Sequence, residues 1–432
     1  MASGVWRRAV LGASGAAAAA AAAPSFLGSP IPRRRWFSSA PRRFAALWGN
    51  GDYGRLGLGS VESRWRPTIC PFFQEDLPVS IACGGAHTLF LTESGRVYAT
   101  GLNDFGQLGV KSVKSHTLEP VEILGLPEKV AQISAGYYHS CVITENGELF
   151  VWGKNSSGQL GLGKRAESIV STPTRVDCLD GIRVKVAELG LEHSIAITDE
   201  GNVLSWGAGG SGRLGHGYQS RIFGFSKSSR FDEYTPRLVK NLEGVKVKRI
   251  AAGMLHSACI DEQGSVFLFG ERTTNKLSFG AAKYASTPSV VLDLPLSKEV
   301  ACGGYHTCVV TSEGKLYTWG SNENGCLGLG GTDVVKTPES VESSFLKFPI
   351  TEVSCGWKHT AVISGGNVFT WGWGGASGTF FEDGHSSGGQ LGHGDDVDYF
   401  EPMLVSIGQN VKALHVSCGF NHTGGIFEYN ET

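Results

Sequence analysis

Residues 172–207, TPTRVDCLDGIRVKVAELGLEHSIAITDEGNVLSWG, decide the fold. Four short runs stand in this stretch: Thr172–Val176, Val184–Val186, Ser194–Thr198 and Val203–Trp206. Three of them alternate with period two, as half-buried strands do. Asp199-Glu200-Gly201 is a turn signal between the last two. The stretch therefore predicts a unit of four short strands.

The unit recurs. A Gly-x-x-His-Ser/Thr core appears at His87, His139, His193, His256, His306, His359 and His422, at intervals of 52, 54, 63, 50, 53 and 63 residues. Strands ending in Trp-Gly or a relative close at Gly49, Gly101, Gly153, Gly207, Gly270, Gly320 and Gly372. Four strands repeated at 50 to 63 residues mark propeller blades. The expectation is an all-β, seven-bladed β-propeller of four-stranded blades over residues 38–432. The strand His422–Phe427 lacks a following Trp-Gly strand, and Phe44–Trp48 lacks a preceding histidine strand. Each supplies what the other misses, so both termini should share the last blade and leave no open sheet edge.

Composition agrees and sets exclusions. Gly is 61 of 432 residues, about twice the usual ~7%, which suits a turn-rich chain. With 41% hydrophobic and 18% charged residues, the chain is not of the disordered class. Beyond the Ala16–Ala23 tract no apolar run approaches a membrane span, so no membrane partner is expected. Residues 1–51 hold seven arginines and no acid. Such an Arg-rich, Ser/Ala-rich leader reads as a transit peptide, residues 1–37, addressed to the mitochondrial matrix, with a plastid as the alternative. Without those residues and their five arginines, 33 basic residues face 40 acids, a net charge of −7. That is not the broad basic footprint of a DNA-binding protein.

Candidate chemistry is sparse. The seven histidines have no second ligand at His-x-x-x-His or Cys-x-x-Cys spacing, which argues against metal. They read as buried imidazoles that bond between strands of their own blade. Cys83, Cys302, Cys355 and Cys418 share one repeat slot with Ala135, Leu189 and Ala252, which reads as a small apolar core slot filled by reduced thiols. There is no nucleophile elbow and no phosphate loop, so neither an enzyme nor a cofactor is expected. Two units are lengthened after their Trp-Gly strands, at 216–234 and 373–388. The first interleaves Arg221, Lys227 and Arg230 with Phe223, Phe225 and Phe231; the second carries Phe380 and Phe381 beside Glu382 and Asp383. Insertions in repeat proteins map to a binding face. The first suits a protein hot spot or single-stranded RNA; acids beside the second argue against phosphate. Both should emerge on one face.

The pattern Gly-x-x-His-Thr, then Gly-x-Val-Tyr-x-Trp-Gly, then Gly-Gln-Leu-Gly resembles the regulator of chromosome condensation repeat. Gly106–Gly109, Gly158–Gly161, Gly325–Gly328 and Gly389–Gly392 are its clearest last motifs. The resemblance covers residues 44–429; the fifth unit departs at Lys276–Gly280. Likeness to the family's plant organellar members implies a non-enzymatic mitochondrial scaffold for transcript splicing and complex I biogenesis. Its partners would be splicing factors, with RNA reached indirectly. The founding nuclear member implies instead nucleotide exchange on a small GTPase, and a ribosome or assembly adaptor is a third reading. The family's ultraviolet-B sensor carries a run of Gly-Trp-Arg-His-Thr motifs. Only Gly356-Trp357-Lys358-His359-Thr360 approaches that here, so this reading is set aside.

Overall fold

The computed structural model describes residues 43–111, 114–127, 129–217, 231–271, 284–375 and 388–430. Each core histidine opens a six-residue or longer strand, such as His193–Thr198, whose first six residues are all buried. It pairs on one side with the strand before it (Val184–Leu189) and on the other with the Trp-Gly strand (Val203–Gly207). A fourth, outer strand completes the antiparallel sheet. Seven such four-stranded sheets form among the described residues. We number them blade 1 (residues 78–122), blade 2 (130–175), blade 3 (184–238), blade 4 (247–290), blade 5 (297–340), blade 6 (350–404) and blade 7 (411–429 with 43–69).

Blade 7 joins both ends of the chain. Strand Arg43–Gly49 pairs along its whole length with His422–Tyr429, from Arg43↔Glu428 to Gly49↔His422. The seven-bladed ring and its shared last blade are as the repeat count predicts. The phase of the repeat differs. Thr172–Val176 does not open a blade; it falls in the outer strand Ile169–Arg175 of blade 2, paired with Leu149–Lys154. A repeat carries its period but not its starting strand, and here the pairing of the two termini sets the phase.

The two middle strands are also not half-buried. Ala196, Leu204 and Trp206 of blade 3 pack with Cys141, Ile143 and Val151 of blade 2. Ile195, Ile197 and Val203 of the same strands pack with Ile250, Cys259 and Phe269 of blade 4. Both faces of a blade are core, so alternation in sequence sorts residues between two neighbours rather than between core and water.

The histidines correct a second expectation. Each bonds not within its own blade but across to the next. Nε2 lies 2.8 Å from Ser140 Oγ at His87, 3.3 Å from Ser194 at His139, 2.9 Å from Ser257 at His193 and 3.1 Å from Thr307 at His256. The ring continues with His306–Thr360 at 2.9 Å and His359–Thr423 at 3.0 Å, and His422–Thr88 at 2.9 Å closes it. The reason is geometric: the strand backbone already spends its own donors in the ladders, and the side chain stands out of the sheet toward the neighbour. Six of the hydroxyls donate in turn to a backbone carbonyl at the second residue of a Gly-Gln-Leu-Gly-type turn, as Ser140 does to Gln107 at 2.8 Å and Ser194 to Gln159 at 2.7 Å. The same carbonyl accepts the indole N–H of Trp152, Trp206 or Trp371 at 2.8 to 2.9 Å.

A hydroxyl has one proton to give. Since it goes to the carbonyl, the imidazole must be the donor, which makes it the neutral Nε2–H tautomer. Glycine is needed beside it: a Cβ on Gly84 would sit 2.5 Å from His87 Cε1, and one on Gly109, at φ +71, would sit 2.9 Å from Trp152 Nε1. Burial holds the imidazoles neutral. It lowers His87, His139, His306 and His359 to about 3 and His256 to about 4, and it puts His193 and His422 well below their ordinary value.

Two outcomes follow from the joints. Because these folded-state pKa values are depressed, the unfolded chain binds the extra protons. The contribution is therefore complete above about pH 6.5 and is lost as pH falls toward the folded values, by about 1.4 kcal/mol per pH unit for each histidine. Acid unfolding followed by near-UV circular dichroism should be steep and begin below pH 6.5; a flat stability profile down to pH 4 would contradict the assignment. Replacing Ser194 by Ala orphans the His139 N–H and should cost about 1–3 kcal/mol in denaturant unfolding; an unchanged midpoint would show that the joint contributes nothing.

Candidate interaction face

Every blade sends two connections out of one end. Since His193 pairs with Gly207 and His359 with Gly372, the Gly-x-x turn before the histidine and the turn after the Trp-Gly strand share a face. The seven first-turn residues are Gly85, Tyr137, Leu191, Met254, Gly304, Trp357 and Phe420, and they rim a small central cavity of about 90 Å³.

The aromatic members join into an arc. Phe105 lies 4.7 Å from Tyr138, Tyr138 lies 4.3 Å from Tyr137, and Tyr137 lies 5.1 Å from Phe420 (ring centroids). Phe420 stacks on Trp357 at 4.3 Å and 11°, and Trp357 meets Trp373 edge-on at 5.5 Å. Such pairs hold ring geometry beyond the area they bury. Glycine makes the room: a Cβ on Gly85 would lie 2.3 Å from the Tyr137 carbonyl, and one on Gly304 would lie 2.5 Å from Trp357 Cδ1. Lys358 lies 4.9 Å over Trp357 and 3.2 Å from Glu323. Lys154 lies over Phe105 and Tyr138 and 3.0 Å from Glu192. Among the described residues, Trp357 Nε1 and Asn421 Oδ1 are buried without a hydrogen-bond partner. Trp373 is buried beneath the arc, while Phe105, Tyr137, Tyr138, Trp357 and Phe420 are half-buried, and such partly covered rings make a surface suited to protein contact.

The sequence reading placed contact in the two insertions. Arg221, Phe223, Phe225, Lys227, Arg230, Phe380 and Phe381 lie outside the described residues. Phe231 is described and half-buried, with its carbonyl against Gly209. Both insertions are clamped alike at their bases: Gly209 N–H donates to Asp232 at 3.0 Å and Gly374 N–H to Asp398 at 2.9 Å. Both bases stand on the arc's face. Tyr137, Tyr138, Trp357 and Phe420 of the arc are legible in sequence as residues one or two before a core histidine, whereas Phe105 and Trp373 follow the strands that end at Gly101 and Gly372.

Behind the rim, the shared slot of Cys83, Ala135, Leu189, Ala252, Cys302, Cys355 and Cys418 is apolar core at each joint, as expected, and also forms the waist of the central channel. All ten thiols are free. Beyond the waist is a polar cavity of about 520 Å³. Its side chains mostly serve the inner strand edges. Ser417 accepts from Cys83 N–H, Ser354 from Cys418 N–H, Gln132 from Ala187 N–H and Glu352 from Val416 N–H, at 2.9 to 3.2 Å. His415 spans three blades, 2.6 Å from Glu352 and 3.0 Å from the Ile81 carbonyl. Arg249 pairs with Glu299 at 3.1 Å. Burial pushes Glu188, bonded to Ser134, up to about 7. These groups satisfy edges and each other.

Residues 45–424 match the model of the RCC1-like domain. The ultraviolet-B receptor UVR8 of Arabidopsis thaliana is 34% identical over 386 residues, 89% of this chain and 70% of that one. The mitochondrial RCC1 domain-containing protein RUG3 of the same plant is 32% identical over 251 residues, 57% of this chain; the match spans about half (54%) of RUG3. Among solved structures, human WBSCR16 superposes with a TM-score of 0.75 at 24% identity, covering 90% of this chain and all of that one. Prp20p of Saccharomyces cerevisiae gives 0.76 at 24% identity, covering 90% and 92%. The rim bears one tryptophan, Trp357, and the residue before each core histidine is Ala86, Tyr138, Glu192, Leu255, Tyr305, Lys358 or Asn421, never arginine. The ring of joints, the shared last blade and the matched span lead to one assignment: the chain belongs to the RCC1-like domain family.

Proposed function

We propose that this propeller is a non-enzymatic docking scaffold of the mitochondrial matrix that supports splicing of organellar transcripts and, through it, complex I biogenesis. The observation that carries the docking role is the aromatic arc from Phe105 to Trp373 with the unpartnered Trp357 Nε1 and Asn421 Oδ1. The acid-free arginine-rich leader, residues 1–37, and the mitochondrial relative RUG3 support the compartment. The arc's two lysines each face a carboxylate, so this face suits proteins better than phosphates, and RNA would be reached through protein splicing factors. The insertion residues Arg221 to Phe231, with Phe380 and Phe381, would extend the same contact.

Exchange on a small GTPase is the second reading. It rests on the yeast neighbour Prp20p, which has binding properties toward Gsp1p and histones. Its likeness here is one of fold.

Tagged protein recovered from isolated organelles with and without RNase separates the readings. Splicing factors with an intron-containing transcript, and unspliced transcript accumulating in a null mutant, are the expected result. Normal splicing of every intron in the null mutant would overturn it, and recovery of a GTPase alone would favour the exchange reading. On the face itself, the double substitution Trp357→Ala and Phe420→Ala should reduce partner recovery more than tenfold, as hot-spot truncation does, with the thermal midpoint little changed. Full recovery by that variant would move the contact off the arc.

A further inference from the structure

The seven blade joints are built alike, so each serves as a control for the others. In every joint the residue two after the core histidine faces the waist slot of the next blade. The pairs are Leu89 with Ala135, Cys141 with Leu189, Ile195 with Ala252, Ala258 with Cys302, Ala361 with Cys418 and Gly424 with Cys83. Only the joint of blades 5 and 6 sets two sulfurs together, Cys308 and Cys355. One ring nitrogen of His306 and the two sulfurs all lie within 4.8 Å of one another. Cys308 sits in the apolar core shared with blade 6, with Val362 and Trp371, while Cys355 borders the central channel.

We propose that His306, Cys308 and Cys355 bind one Zn²⁺ ion at this joint. An ion with metal–sulfur bonds of about 2.3 Å holds its ligand atoms roughly 4 Å apart, so the triad, already within 4.8 Å, closes by about 1 Å at most on binding. The protonation pattern also fits. Nε2 is engaged with Thr360 Oγ1 at 2.9 Å, so the ligand atom in this proposal is Nδ1. A hydroxyl holding the far N–H is the outer-shell support that metal-bound imidazoles take. Both thiols lose their protons to solvent on binding. Two thiolates then cancel the ion's charge, and that neutrality matters in a buried site; a monovalent soft ion would leave a net negative charge. The channel beside Cys355 can supply a water as fourth ligand. Local spacing could not show this set, because the third ligand comes from the next blade, 47 residues beyond Cys308.

The test is cobalt titration of the untagged, reduced full chain after chelator treatment. A thiolate-to-cobalt charge-transfer band, with visible bands of a four-coordinate ion, should saturate at one equivalent and bleach on adding Zn²⁺. Cys308→Ala and Cys355→Ala should each abolish it, and Cys418→Ala should retain it. Alanine already fills these slots in other blades, at Ala258 and Ala361 and at Ala135 and Ala252, so the variants should keep the native circular dichroism. No band in the parent chain, or a band that survives both substitutions, would show that these thiols only pack.

Discussion

One hydrogen-bond relay holds the ring: imidazole Nε2–H to the hydroxyl of the next blade, hydroxyl to a turn carbonyl and, at three joints, indole N–H to that same carbonyl. Propeller blades bury both faces, and apolar packing alone is non-directional. The relay adds direction at each joint. It fixes the imidazole tautomer, demands a small hydroxyl after each histidine, and demands glycine where any Cβ would strike the ring. Its members come from neighbouring blades, so no blade is complete alone. The pairing of Arg43–Gly49 with His422–Tyr429 gives the joints of the last blade the same imidazole–hydroxyl bond as the others.

Such a frame separates structure from function along the sequence. The histidine, hydroxyl and glycines are spent on the ring. The two residues before each histidine are not, and they point to one face. There the seven blades differ, from Gly85 through Tyr137 to Trp357 and Phe420. Two glycine positions let the large neighbouring rings lean over, which turns unlike side chains from four blades into one aromatic surface. The described bases of the two lengthened connections, where a glycine N–H meets an aspartate, stand on the same face.

The blade number, the all-β class and the shared last blade were legible because repeat spacing reports them directly. The blade phase was not, since a circular repeat has no first strand until its ends pair. The relay was half legible. The histidine and the Ser/Thr after it recur together, but their bonds cross a joint, linking His87 to Ser140 rather than to a strand of its own sheet. Trp357 and Phe420 stand 63 residues apart, and only ring closure stacks them. For the same reason, local ligand spacing hid the triad of His306, Cys308 and Cys355. Sequence distance conceals whatever a joint assembles.

The relay can be observed directly. Long-range ¹H–¹⁵N correlation spectra of the imidazoles, recorded on the folded protein from pH 8 to pH 6, report tautomer and protonation together. The account predicts seven histidines that stay neutral with the proton on Nε2 throughout this range. Ring histidines that titrate near pH 6.5, or that carry the proton on Nδ1, would contradict it.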